Sequence, residues 1–186
     1  DINSERAFKN LMGTFGSLDD VARAGVSDIE EAIRMGGLAK IKAPRIKAVL
    51  NQVREEVGSF DLSFLGEMPL DEAKAWLLRF AGIGPKTAAI ILCFSLGMPA
   101  MPVDTHIFRV SQRLGLIGPK VNVDNAHDIL ESMVNPDEVF SFHLYLINHG
   151  RLICKAQRPK CNQCVLAEIC PSKPKLQPMV EEANRI

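Results

Sequence analysis

Four cysteines near the end of the chain constrain its fold more than any other feature. They have the spacing C-x6-C-x2-C-x5-C and lie in irregular sequence rich in Pro and Lys; they are Cys154, Cys161, Cys164 and Cys170. The opening residues, DINSERAFKN, have neither the charged end nor the apolar centre of a signal peptide. We therefore expect a cytoplasmic, reducing location and a metal centre rather than disulfides.

The spacing of these cysteines leaves the metal open. Structural zinc sites are usually built from two separated C-x2-C pairs, and only Cys161 and Cys164 are spaced in this way. Four thiolates on irregular loops suit an iron–sulfur cluster equally well. The fifth cysteine, Cys93, lies in an apolar segment, and we interpret it as a small core residue.

The rest of the chain predicts an all-α protein. Apolar residues recur at three- and four-residue spacing in successive segments, and no segment alternates with period two. With 47% hydrophobic residues among 186, the chain can form one domain or two small ones, and no apolar run is long enough to cross a membrane. The predicted helical segments are 4–15, 17–24, 27–36, 44–58, 69–82, 85–96, 103–116, 121–134 and 137–153.

The charge of the chain is balanced overall but uneven locally. Basic and acidic residues number 22 each, so net charge gives no reason to expect nucleic acid. Between 149 and 175, six cations face Glu168 alone, which gives a local charge of +5 and by itself predicts only a solvated tail. The cations are Arg151, Lys155, Arg158, Lys160, Lys173 and Lys175.

A glycine-containing turn joins two predicted helices and is followed by a lysine. Gly82 and Gly84 flank Ile83, and Pro85 suits the first position of the next helix, so the pattern indicates a helix–hairpin–helix. Such a turn either binds a phosphate through free N–H groups or merely connects helices. Because the second helix is apolar all round, we expect it to be buried. The helix start and a poorly hydrated cleft would then disfavour the ammonium form of Lys86, and a neutral amine is a nucleophile.

A carboxylate eighteen residues later can return to this lysine. The helix from 85 to 96 advances about 18 Å, and the connection that follows can span roughly 20 Å. The chain can therefore bring Asp104 beside Lys86. Asp104 is also predicted to be the N-cap of the next helix, worth about 1 kcal/mol, and its spacing leaves a catalytic role open.

Together, GIGPKTA, VDTHIFRV, and HGRLIC running into the cysteine set resemble the endonuclease III family of DNA glycosylases. The resemblance implies a bilobed all-α fold, with the DNA-binding cleft between the lobes. Residues 1–103 would form a helical-barrel lobe with the helix–hairpin–helix over about 77–97, and 104–186 a lobe holding a 4Fe-4S cluster in the loop 154–170. Among the two metals left open, the resemblance selects iron–sulfur.

The resemblance also implies a reaction. Lys86 falls on the catalytic lysine of the family and Asp104 on its catalytic aspartate. The implied activity is base excision repair by a bifunctional DNA glycosylase/AP lyase, which removes oxidised pyrimidines from duplex DNA through a lysine Schiff base and β-elimination. The alternatives are a helix–hairpin–helix module that binds DNA without chemistry, a redox or zinc protein in which the cysteines are the function, and a glycosylase for uracil or 5-methylcytosine.

The implied partner is double-stranded DNA that carries a damaged base or an abasic site, bound by a monomer. Leu38 falls where the family inserts a side chain into the duplex. The remaining implied DNA contacts are Gly82, Ile83 and Gly84 in the hairpin and Lys155, Arg158 and Lys160 in the cysteine loop.

Several other residues receive plainer interpretations. His106 and Arg109 would contact DNA or pair within the fold, Trp76 and Tyr145 would be core aromatics, and His143 and His149 are interpreted as structural. Family members carry an opening helix and a long apolar helix before the stretch that matches DINSERAFKNL. We therefore expect the fold of this sequence to lack those N-terminal helices.

Overall fold

The structure, a computed structural model, describes residues 2–173; Lys175 of the basic stretch lies outside them. Within this range the chain is helical and contains no strand, which confirms the all-α class. None of the helices in residues 2–173 is long and apolar enough to span a membrane. The helices are α1 (Ile2–Phe15), α2 (Leu18–Arg23), α3 (Val26–Ala32), α4 (Ala39–Val57), α5 (Leu70–Leu78), α6 (Pro85–Ile90), α7 (Thr105–Leu114), α8 (Val123–Met133) and α9 (Val139–Leu152).

The chain divides into two compact units. The first contains the described residues up to Phe64 together with Arg79–Gly82, and the second contains Leu65–Leu78 and the described residues from Ile83 onward. The lobe boundary that the resemblance implies, between residues 103 and 104, does not coincide with this division. That boundary stays a prediction.

Helices α1 to α4 form the first unit around a small apolar core. Its buried side chains include Leu11, Val21 and Ile29, each of which contributes about 1.5–3 kcal/mol by leaving water. The prediction that the fourth helical segment begins at Pro44 was wrong, because α4 begins at Ala39 and contains the proline. Proline has no N–H, so the helix gives up one hydrogen bond at this position.

In the second unit, two predictions about the burial of apolar residues were wrong. The apolar segment after the hairpin continues from α6 into a π-helical turn, Ile91–Ser95. One side of it is buried, but Ile90 and Phe94 are 38% and 47% exposed, so the expectation of a helix buried all round was wrong. Tyr145 on α9 is 75% exposed and is not a core aromatic. Composition shows that a segment is apolar, whereas tertiary packing decides which of its faces are covered.

The chain between the π-helical turn and α7, residues 97–103, is irregular, and its second half is buried. We refer to it as the return segment; its Ala100, Met101 and Val103 are fully buried. Buried backbone polar groups need partners, and helical hydrogen bonds are absent here. Side chains of α8 and α9 supply them. His127 Nδ1 donates to the Met101 carbonyl at 2.8 Å, and His143 Nδ1 donates to the Pro102 carbonyl at 2.9 Å.

A carboxylate of α8 completes this set of contacts. Glu131 accepts from the Met101 N–H at 3.0 Å through one oxygen and from the Lys74 ammonium at 2.6 Å through the other. The Lys74 and Glu131 side chains are only 17% and 18% exposed. Removing one partner of such a pair leaves a poorly solvated charge. Loss of Lys74 would therefore disturb Glu131 and, through it, the hydrogen bond to the return segment.

His127 makes the stability of this unit sensitive to acid. Its ring is buried and Nε2 has no hydrogen-bond partner among the described residues. Burial lowers its pKa below the ordinary value of 6.5; the bond to Met101 and the charges of Asp124 and Asp128 oppose this shift, and Lys74 adds to it. Below pH 6.5 the unfolded chain therefore binds a proton that the folded chain resists.

We expect the free energy of unfolding to fall as the pH is lowered below about 6.5, with His127 contributing at most about 1.4 kcal/mol per pH unit. In His127→Asn, the amide can still donate to Met101 but does not titrate, so the dependence should be weaker. Denaturant unfolding of the cluster-containing protein between pH 7.5 and 5.5 measures both slopes. Equal slopes for the two proteins would contradict the assignment.

Candidate active site and iron–sulfur centre

The predicted hairpin is present between α5 and α6. Gly82 has a φ of +95°, a region that side-chain-bearing residues rarely adopt, and a Cβ built there would lie 3.0 Å from the Arg45 side chain. Gly84 is the N-cap of α6, and Pro85 takes the first helical position. This geometry requires glycine at position 82 and leaves open space at Gly84, where the backbone can be approached closely.

Lys86 is the second residue of α6, and its side chain is exposed. The sequence led us to expect a poorly hydrated amine, but the residues that the structure describes leave Lys86 open to solvent. A ligand bound over it would remove that water.

Asp104 directly follows the return segment and is the N-cap of α7. Its Oδ1 accepts from the backbone N–H groups of His106 and Ile107 at 2.9 and 2.8 Å. The predicted cap is thus confirmed. The two hydrogen bonds also fix the carboxylate, because one of its oxygens is held by the helix start while the side chain stays half-buried.

His143 experiences the charges of both candidate residues. Burial lowers its pKa; its bond to Pro102 and the Asp104 carboxylate raise the pKa, whereas Arg151 and Lys86 lower it. Lys86 and Asp104 therefore both lie within electrostatic reach of one imidazole. The interpretation of His143 as structural agrees with its burial and its bond to the return segment.

Arg109 pairs within the fold. Its guanidinium donates to the Gly150 carbonyl at 2.8 Å, to the Cys154 carbonyl at 3.0 Å and to His106 Nδ1 at 3.2 Å. Of the two interpretations that the sequence left open for Arg109 and His106, these contacts favour pairing. They tie α7 to the end of α9 and to the first cysteine.

Two residues that were predicted to contact DNA share a rare backbone conformation. Among the described residues, Leu38 and Arg158 are the two non-glycine residues with positive φ, at 56° and 48°. Leu38 is the N-cap of α4 and is 70% exposed, although leucine neither caps well nor favours water. Lys155, Arg158 and Lys160 are all exposed on the loop between the first two cysteines. Such strain at exposed positions points to a function outside the fold.

The four cysteines line one cavity, together with Arg113 and His149. Burial, followed by the neighbouring thiols, raises the pKa of the Cys161 thiol. Thiols that oppose one another's ionisation suit a cationic centre that would stabilise all four thiolates. The donor set therefore fits an iron–sulfur cluster.

An iron–sulfur cluster of this kind is held by four cysteine thiolates, which is the number that lines this cavity. When bound, the cluster cross-links the four cysteines that the loop brings together.

Sequence reasoning did not assign two residues to this centre: Arg113, which it did not single out, and His149, which it interpreted as structural. Arg113 donates to the Cys154 sulfur at 3.4 Å, and His149 Nε2 lies 3.6 Å from the Cys164 sulfur. The i, i+4 spacing of Arg109 and Arg113 places two cations on one face of α7, but it does not show what that face contacts.

Two family models match the sequence. Residues 1–136 match the HhH-GPD superfamily of base excision DNA repair proteins, and residues 154–170 match the iron–sulfur binding domain of endonuclease III. The second match covers the stretch from the first cysteine to the last. The cofactor of the cysteine loop is thus a 4Fe-4S cluster, and the zinc alternative is dropped.

The sequences of known proteins in this family also match the chain. Endonuclease III of Sulfolobus acidocaldarius is 32% identical over 166 residues, which cover 88% of this chain and 72% of that protein. An Arabidopsis thaliana protein named as a candidate DNA glycosylase is 39% identical over 157 residues, covering 84% of this chain. The chain spans only 53% of the Arabidopsis relative.

Solved structures show the same relationship. A trapped covalent intermediate of endonuclease III with DNA superposes with a TM-score of 0.80 at 30% identity, over 94% of this chain and 78% of that one. A non-covalent endonuclease III–DNA complex gives 0.78 at 30% identity, over 92% and 76%. With the hairpin, the capped aspartate and the cysteine centre described above, these matches show that the chain belongs to the endonuclease III family of base excision DNA repair glycosylases.

Proposed function

We propose that this chain is a bifunctional DNA glycosylase/AP lyase that removes oxidised pyrimidines from duplex DNA. The observation that carries the proposal is a lysine and a capped aspartate that stand at two helix starts of the same unit. Lys86 is exposed at the start of α6, Asp104 is held as the cap of α7, and the charges of both reach His143. The endonuclease III whose covalent intermediate with DNA has been trapped supports covalent chemistry in a similar protein.

In the first step, the neutral amine of Lys86 attacks the anomeric carbon of the damaged nucleotide. A bond forms between Nζ and C1′, the C1′–N bond breaks, and the base leaves with the electron pair and takes up a proton. Positive charge develops on the sugar as the base departs. The Asp104 carboxylate, whose Oδ1 is held by two N–H groups, stabilises that charge or accepts the proton from the amine.

The second step cleaves the strand. Opening of the sugar ring converts the Nζ–C1′ adduct into a Schiff base, which makes the C2′ protons acidic. Loss of one C2′ proton to a base and departure of the 3′ phosphate complete β-elimination. A lysine at position 86 favours this lyase step, because a nucleophile without an amine cannot form a Schiff base.

The proposed DNA contacts divide by their physical role. The backbone of Gly82, Ile83 and Gly84 holds a phosphate, since the turn offers N–H groups without reading sequence. The Leu38 side chain enters the duplex as the base is flipped out. The cations Lys155, Arg158 and Lys160 bind further phosphates, so binding weakens as the salt concentration rises. The acting form is a monomer.

Borohydride reduction tests the Schiff base. We expect the cluster-containing protein to give a covalent adduct with a duplex carrying one thymine glycol and with a duplex carrying one abasic site. In Lys86→Gln the adduct should fall to the level of a reaction without borohydride, because an amide cannot form a Schiff base. Comparing the two duplexes separates base removal from lyase action, and duplexes with uracil or 5-methylcytosine test the alternative substrates.

The same variant distinguishes enzyme from binding module. Lys86→Gln is expected to keep the visible absorbance of the cluster and to retain DNA binding. An adduct that persists in Lys86→Gln would show that another amine is the nucleophile. The absence of an adduct with parent protein on every duplex would overturn the catalytic proposal for this chain.

Asp104→Asn separates the two roles of the carboxylate. Asparagine is as good an N-cap as aspartate, so the free energy of unfolding should change by less than about 0.5 kcal/mol, whereas Asp104→Ala should lose about 1 kcal/mol. Base removal should fall about 100-fold or more in both variants, because neither side chain can ionise. Single-turnover release of thymine glycol and denaturant unfolding measure the two effects. Parent-like turnover in Asp104→Asn would show that Asp104 acts only as an N-cap.

Leu38→Gly tests the inserted side chain. Glycine adopts positive φ without strain, so the free energy of unfolding should stay unchanged or rise by up to about 1 kcal/mol. Removal of a paired damaged base should nevertheless slow, because nothing replaces that base in the stack, and cleavage at an abasic site should slow less. Met35→Ala, which removes another exposed apolar side chain of the same unit, is the control. Equal slowing in both variants would contradict a specific role for Leu38.

A further inference from the structure

Arg113, in the last turn of α7, reaches three acceptors on the cysteine loop. Its Nη1 donates to the Lys155 carbonyl at 2.7 Å and to the Cys154 sulfur at 3.4 Å, and its Nη2 donates to the Ala156 carbonyl at 3.0 Å. The residue also lines the cavity of the four cysteines. One guanidinium thus contacts a cluster ligand and the backbone that follows it.

These contacts need the particular shape of arginine. The two carbonyls and the sulfur lie on consecutive residues 154–156, and a planar fork of N–H groups can serve them together. A lysine ammonium is a point charge on a flexible stem, so it can neutralise the sulfur but cannot span the three acceptors in fixed geometry. Charge and shape can therefore be separated by substitution.

We propose that Arg113 is a positioning residue for the 4Fe-4S cluster. Its fork holds Cys154 in the orientation that binds iron and fixes the first residues of the basic loop in the same arrangement. Its positive charge and its N–H group stabilise the Cys154 thiolate. Outer partners of metal ligands orient those ligands in this way, and hydrogen bonds to sulfur set the potential of iron–sulfur clusters.

Two measurable consequences follow. Without the fork, the first cysteine and its loop open more often, so the cluster is lost faster to a chelator. Without the positive charge, the more negative, reduced form of the cluster is less stabilised, so the reduction potential falls. A residue that only supported α7 would affect unfolding and leave the potential unchanged.

The test compares Arg113→Gln and Arg113→Lys with the parent holoprotein, and uses Lys120→Gln, an exposed cation elsewhere in the unit, as the charge-loss control. Bleaching of the visible cluster absorbance in excess chelator gives the rate of cluster loss, and protein-film voltammetry gives the potential. We expect Arg113→Gln to lose its cluster about tenfold faster and to have a lower potential. Arg113→Lys should lose the cluster faster than the parent while keeping a potential close to it.

A parent-like rate and potential in Arg113→Gln would overturn the proposal, as would equal changes in Lys120→Gln. If Arg113→Gln does not fold, Arg113→Lys decides alone: it keeps the charge and loses the fork, so a parent-like rate of cluster loss would overturn the proposal. Neither readout uses base removal or strand cleavage. The result is thus independent of whether the proposed activity is correct.

Discussion

The hydrogen bonds that side chains of α8 and α9 make to the return segment are the interactions on which the candidate active site depends. A buried segment without helical bonds leaves its N–H and C=O groups unsatisfied, and each such group would cost about 1–3 kcal/mol. Glu131, His127 and His143 satisfy three of them within two consecutive residues, Met101 and Pro102. Lys74 in turn makes the ionised form of Glu131 tolerable in this environment. Asp104 follows two residues later, so this buried network and its own cap together set its position.

Helix α7 then connects the two centres of the second unit. Asp104 caps its first turn, and Arg113 in its last turn contacts the cysteine loop. The helix has ten residues and is therefore about 15 Å long, with Arg109 between its ends bound to the Gly150 and Cys154 carbonyls. Because a short helix fixed at both ends and in the middle has little freedom to bend, the cluster loop helps to hold the helix whose start carries Asp104. The loop that carries the cysteines thus helps to position the helix that bears Asp104.

The sequence could predict features that depend on residues close together in the chain, but not those that depend on distant ones. The cap at Asp104 and the turn between α5 and α6 depend on residues close in sequence, and both could be predicted. The exposure of Phe94 and Tyr145 could not be predicted, because the sequence does not show which apolar side chains another helix will cover. Arg113 was missed because its acceptors lie 41 to 43 residues away, and two of them are backbone carbonyls that have no sequence signature. The roles of the site residues came from resemblance, because spacing alone left Asp104 and the metal undecided.

Backbone conformation gives an argument for those roles that is independent of resemblance. A side-chain-bearing residue with positive φ costs about 1–2 kcal/mol, and glycine would relieve that cost at Leu38 and Arg158 alike. Both side chains are exposed, so little burial offsets the strain. A sequence shaped by stability alone would therefore favour glycine at both places, as it has at Gly58 and Gly115, where helices end in the same conformation. The conformation is more readily explained if an apolar side chain at one site and a cation at the other are needed by something outside the protein, and duplex DNA provides both a base stack and phosphates.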